Sequence, residues 1–202
     1  MSENTAIKII ENYYSNHGFH PERLYPENFP SNTKVPDFVI KESGEISHYC
    51  ELKSPDLILN PKTNLFHWQT TVSKLRDMMH KAVKQFKGVD PEHKYPWVLA
   101  ITSSHMQLNW TNMVHTINGV AGFNNTVFSD FRDKRFISDT QDDLVQIDFI
   151  FWNQVNYQDK RIFQYVPFIN VESLHVKKVE VVSKLLKPTS LEKIVDRNSR
   201  RF

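Results

Sequence analysis

The stretch Val35-Pro36-Asp37-Phe38-Val39-Ile40-Lys41-Glu42-Ser43-Gly44-Glu45-Ile46-Ser47-His48-Tyr49-Cys50-Glu51-Leu52-Lys53 decides the fold. Val, Ile, Phe and Tyr dominate its two ends, and these side chains pack well on a pleated surface. Glu42-Ser43-Gly44-Glu45 between them is turn chemistry. The stretch therefore reads as a β-hairpin. Folding it about Gly44 sets opposite one another residues whose numbers add to about 88, which places Asp37 beside Glu51. Strand side chains alternate faces, so Glu51 and Lys53 point to one side while Cys50 and Leu52 point to the other, toward apolar packing. Two carboxylates and one ammonium converge on a single patch.

Carboxylates held side by side repel, and a divalent cation that prefers oxygen ligands relieves the repulsion. Mg²⁺ commonly takes one or two protein carboxylates and fills its remaining positions with water and substrate phosphate. An ammonium nearby orients or activates an attacking water and balances charge that builds on a phosphoryl group. Taken alone, Glu-x-Lys is equally a pair of solvent-facing charges on an edge hairpin. With Pro36-Asp37 ahead of Glu51-Leu52-Lys53, the chain resembles the PD-(D/E)xK phosphodiesterase superfamily, the restriction-endonuclease-like nucleases. The core of that family runs helix, three-stranded antiparallel meander, helix, strand. The same succession can be read here from about residue 5 to about residue 103, roughly half of the chain.

The resemblance implies an α/β fold, with a mixed central sheet flanked by helices, and the length of the chain implies a single domain. Residues 104–187 would extend this core and residues 188–202 form a basic tail. It also implies a metal-dependent nuclease. Asp37 and Glu51 would bind Mg²⁺ or Mn²⁺, Lys53 would serve the water, and DNA would be the substrate, in defence or in phage-related DNA processing. A non-catalytic subunit of the same fold, binding nucleic acid or a protein partner, is the alternative, and homodimerisation is a further expectation.

Thr5 to His17 reads as an amphipathic helix, with Ile7, Ile10 and Tyr14 at helical spacing and Gly18 as its stop. Glu11 sits at the border of that apolar stripe. In the family the first helix often supplies an acidic residue to the metal, which by resemblance makes Glu11 a third ligand; a boundary glutamate reaching water is the other reading. Pro21, Pro26, Pro30 and Asn32 limit any first strand to Arg23–Tyr25. Ser54-Pro55 ends the hairpin, because proline cannot donate to the ladder. Residues 56–69 then read as a loop, either a flap over the site or a plain connector.

Thr71 to Lys87 gives the clearest helical period, through Val72, Leu75, Met79, Ala82, Val83 and Phe86, with Gly88 expected to close it. Its outer positions are basic. By analogy with related nucleases Gln85 and Lys81, one turn apart, reach substrate or metal-bound water, with Lys84 beside them. Tyr95–Ser103 is a nearly continuous apolar run that suits a strand buried on both faces. Leu108–Ile117 reads as a helix. Residues 120–143 have no stable period and read as an extended insertion. Its Arg132, Lys134 and Arg135, with Phe128, Phe131 and Phe136, either clamp a nucleic acid or pack onto the core. Gln146–Trp152 and Arg161–Val171 read as strands, and Ser173–Leu186 permits either element.

The chain has 202 residues, enough for one substantial core. It has no apolar run approaching the roughly 18 residues of a membrane span, and its polar beginning lacks a secretory pattern, so a cytoplasmic protein is expected. A lone cysteine excludes an internal disulfide framework and a Cys-rich zinc site, and Cys50 is expected in the core. The nine histidines are scattered and form no ligand pair, and five glycines leave no room for a glycine-rich phosphate loop. Net charge is +2, but Lys177–Phe202 holds eight basic and three acidic residues, a balance of +5 that leaves −3 elsewhere. Such an end either touches phosphates or is a solvated tail.

Overall fold

The computed structural model describes residues 2–55, 67–123, 126–130, 132–133, 136–156, 158–159 and 161–169. Most of the loop read at 56–69, the side chains of Phe131, Lys134 and Arg135, the segment 173–186 and the basic tail fall outside these residues. The quoted stretch forms the strands β2 (Phe38–Glu42) and β3 (Glu45–Lys53). Ser43 and Gly44 between them both have positive φ, the backbone requirement of the two-residue turn that matches strand twist. Phe38 faces Cys50, Val39 faces Tyr49 and Ile40 faces His48, the sum of 88 expected from the sequence, although the two-residue turn itself pairs Glu42 with Glu45 at 87. An irregularity after Ile40 absorbs one position, so Lys41 faces Ile46.

Ahead of the hairpin lie α1 (Glu3–Asn16), capped by the Ser2 side chain, and β1 (His20–Arg23). The first strand is therefore shifted from the expected Arg23–Tyr25. Gly18, at φ 83°, turns the chain straight out of the helix, and Tyr25 already leads into a 3₁₀ turn at Pro26–Asn28. Pro21 is tolerated because β1 is the edge strand. After β3 come α2 (Trp68–Val89) and β4 (Trp97–Ser103), which is wholly buried and parallel to β3. A parallel return needs a crossover, and α2 supplies it. The chain continues through α3 (Trp110–Asn118), a small hairpin of β5 (Val120–Phe123) and β6 (Thr126–Asp130), a π-helical turn at Phe136–Thr140 and α4 (Gln141–Gln146). It then enters β7 (Phe149–Val155), parallel to β4, and β8 (Ile162–Ile169), antiparallel to β7.

The main sheet is thus six-stranded and mixed, in the order β1-β2-β3-β4-β7-β8, with helices against it. Period-2 alternation divides the core between its faces. Cys50, Leu52, Val98, Ala100, Phe149 and Phe151 pack under Ala6, Ile10 and Tyr14 of α1. On the other face Trp97, Leu99, Ile101, Ile150 and Trp152 pack against Leu75, Met79, Val83 and Phe86 of α2 and Met113 and Ile117 of α3. The Tyr14 hydroxyl meets His48 Nε2 at 3.0 Å, and burial holds that imidazole's pKa down to about 3, so the contact is between neutral groups. No helix among the described residues is long and apolar enough to cross a membrane.

Two sequence expectations are corrected. Residues 120–143 were expected to lack regular structure; their described residues form a hairpin, a π turn and the start of a short helix, each too brief to display a period. This also moves the following strand, expected at 146, to begin at Phe149. Gly88 does not close α2, which continues through Val89 to Asp90. The Asp90 carboxylate accepts from Lys94 N at 2.9 Å, Tyr95 N at 3.0 Å and Trp97 Nε1 at 3.2 Å, and so gathers the turn into β4. Gly88 serves a close approach instead. A Cβ there would lie 1.9 Å from the Lys34 carbonyl oxygen, a backbone atom just ahead of the hairpin. Gly88→Ala is accordingly expected to destabilise the protein by roughly 1–3 kcal/mol through overpacking, although alanine is favoured over glycine in a helix by about 1 kcal/mol. Urea unfolding of the two proteins decides between these signs.

Candidate active site

Beyond the Phe38–Cys50 pair, two acidic side chains take over from the β2–β3 ladder. The Asp37 N–H donates to Glu51 Oε2 at 3.0 Å, and the Leu52 N–H donates to Asp37 Oδ2 at 2.9 Å. Each carboxylate is thereby fixed by the backbone of the opposite strand. Proline at 36 has no donor to offer the ladder and holds the preceding residue extended, which suits the strand's entrance. The Asp37 carbonyl in turn accepts from Leu24 N at 3.0 Å, so β1 is tied to the same residue.

Glu51 lies on the sheet face covered by α2 and is 1% exposed. Burial, and then the nearby Asp37 carboxylate, push its pKa up to about 7, against the opposing pull of Lys53. Lys53 Nζ bonds Glu51 Oε1 and donates to Gln85 Oε1 at 3.1 Å. Gln85 Nε2 donates to the Val35 carbonyl at 3.0 Å. Gln85 therefore does two jobs: it holds the ammonium and straps α2 to the chain entering β2. Lys53 and Asp37 keep 19% and 18% of their side-chain surface open, whereas Glu51 beside them is buried.

The structure brings together Asp37, Glu51, Lys53 and Gln85 of the residues expected at the site. It does not bring Glu11 to them. Glu11 is half-buried on α1, whose packed side chains sit on the face of Cys50 and Leu52, across the sheet from Glu51. Among the described residues no group of three or more His, Cys, Asp or Glu side chains gathers to hold a metal. Lys81 and Lys84 are exposed on α2, Lys81 one turn before Gln85. Phe136 is a core residue lying 4.9 Å beneath the Arg76 guanidinium, which favours packing for that residue, whereas Arg132 is exposed and pairs with Asp130 at 2.6 Å.

Sequence reasoning missed Arg23. Its Nη1 lies 3.5 Å from Asp37 Oδ1, and its guanidinium carbon sits 5.0 Å above the Phe38 ring. Only the β1–β2 register, Arg23 opposite Phe38, would have revealed it.

The donor set fits a small hard cation. Two carboxylates, each oriented by a backbone N–H and close enough for Asp37 to raise the Glu51 pKa, match the one or two that Mg²⁺ takes. Comparison of the chain with family models, with curated proteins and with solved structures finds no match.

The raised Glu51 pKa carries a stability consequence. A carboxyl whose folded pKa of about 7 exceeds its ordinary 4.5 favours the fold fully below pH 4.5 and loses that contribution as pH rises through 7. Without divalent cations, Glu51→Gln is expected to gain on the parent by about 3 kcal/mol between pH 4.5 and pH 8. Urea unfolding in chelator across that range measures the gap. Mg²⁺ at pH 8 is expected to narrow it by stabilising the parent alone.

Proposed function

We propose that this chain is a divalent-metal-dependent nuclease of the PD-(D/E)xK type, hydrolysing phosphodiester bonds in DNA. One observation carries the reading: Asp37 and Glu51 grip each other's strands while Lys53 closes on Glu51 from the same face. The order of elements supports it, since α1, β1, β2, β3, α2 and β4 follow one another as helix, three antiparallel strands, helix and parallel strand. A scaffold protein has no physical need to bury a carboxylate next to another and lift its pKa to about 7.

Asp37 and Glu51 would hold Mg²⁺ or Mn²⁺, which when bound supplies Lewis-acid polarisation of the phosphoryl group. The residues of the chain then have distinct tasks. Each carboxylate oxygen has two lone pairs, so Asp37 and Glu51 keep acceptor capacity beyond the N–H groups they already take. Lys53 has three donors, of which Glu51 and Gln85 occupy two, leaving one for the attacking water or for a phosphoryl oxygen. Water adds to phosphorus as the bond to the leaving sugar oxygen breaks, and the ammonium offsets charge on the phosphoryl oxygens. Gln85 keeps Lys53 from swinging into solvent.

Incubation with linear, circular and single-stranded DNA and with RNA, in Mg²⁺, Mn²⁺ or chelator, tests the reading. The parent is expected to cut DNA only with metal, and Asp37→Asn and Lys53→Ala each to lose about a hundredfold or more. Gln85→Ala, which removes a positioning residue and leaves the ligands in place, is expected to fall by only about tenfold, with metal affinity unchanged by calorimetry. A parent that shows neither cutting nor divalent-ion affinity overturns the proposal.

A further inference from the structure

We infer that Arg23 is a substrate contact of this site, a guanidinium that grips a backbone phosphate of the nucleic acid beside the metal-binding carboxylates. The inference rests on the nuclease reading and adds a residue to it. Arg23 ends β1, and its side chain reaches to the mouth of the site, where Nη1 comes within 3.5 Å of Asp37 Oδ1. That approach does not form a hydrogen bond. Nη1 is shielded from solvent and has no hydrogen-bond partner among the described residues, although 24% of the side chain remains open. A cationic donor in that state lacks an acceptor, and buried donors rarely stay so.

The surroundings limit what the acceptor is. Asp37 Oδ2 is already taken by the Leu52 N–H, and Oδ1 is the oxygen that a cation would claim. With Asp37 holding a divalent ion, two positive groups would flank one carboxylate and the attraction of Arg23 to it would weaken. A phosphate oxygen supplies the acceptor. It would accept from the part of the guanidinium that remains open, whose planar donors match phosphate geometry, while Asp37 would hold the metal. The Phe38 ring, 5.0 Å beneath the guanidinium carbon, holds the plane in place for this. Arg23 also opposes metal binding in the free protein, because it places a positive charge next to a ligand oxygen.

The two roles have opposite signs, and this separates them from a structural one. Arg23→Gln is expected to bind Mg²⁺ as tightly as the parent or more tightly by calorimetry without DNA. Its affinity for double-stranded DNA, by fluorescence anisotropy in Ca²⁺, is expected to fall about tenfold, and the slope of log affinity against log salt to drop by about one. Arg23→Lys keeps the charge and the packing stem; it is expected to keep the salt slope and lose several-fold in affinity for want of the fork. Both variants are compared at equal folded fraction from urea unfolding. Unchanged DNA affinity and salt slope in Arg23→Gln, with a parent that binds metal and DNA, overturn this inference and leave the nuclease reading standing. A parent that binds neither removes both.

Discussion

Everything at the open end of the sheet depends on a swap of partners where β2 and β3 begin to part. A ladder normally continues with backbone carbonyls as acceptors. Here the acceptors are the carboxylates of Asp37 and Glu51, each taking an N–H from the opposite strand. Hydrogen bonds to charged acceptors are stronger than neutral ones, so the pairing holds the strand ends together while it brings two acidic groups within electrostatic reach. The cost is electrostatic. Glu51 is almost fully buried, and its neighbour raises its proton affinity further.

Three cationic or polar groups from separate parts of the chain contain that repulsion. Lys53 comes from the same strand as Glu51, two residues on, and so from the same face. Gln85 arrives on α2 and ties Lys53 to the Val35 carbonyl. Arg23 arrives on the edge strand and lies 3.5 Å from the Asp37 carboxylate. The placement of α2 is controlled by a different kind of contact, the close approach of Gly88 to Lys34, which any side chain at 88 would obstruct. Backbone packing at one turn of the helix and a side-chain bridge one turn earlier therefore fix the same short segment, residues 34 and 35, that leads to Asp37.

Legibility in the sequence followed the range of the interaction. The hairpin could be read because the two strands, the turn and the apolar alternation are contiguous, and the sum of residue numbers held at 88 from Phe38–Cys50 to Ile40–His48. The α2 helix, the buried β4 strand and the core role of Cys50 were legible for the same reason. Short elements were not. The four-residue β5, the π turn and the six-residue α4 give no period to detect, and the segment looked irregular. Glu11 stood at a plausible helical position, but its position along the helix says nothing of which face of the sheet α1 covers.

By itself, the sequence determined that Glu51 and Lys53 leave β3 on one face, since strand pleat fixes residues two apart, whereas Asp37 joins them through the irregularity at Ile40–Lys41, which moves the pairing from the 87 set by the two-residue turn to 88. Tertiary structure decided the environment of that patch: the burial of Glu51 under α2, the bridge from Gln85, the arrival of Arg23 and the separation of Glu11. The division has a physical cause. Local pattern sets the direction in which a side chain leaves its own strand, whereas the partners it meets depend on crossovers and packing between segments far apart in sequence, which no short window of residues encodes.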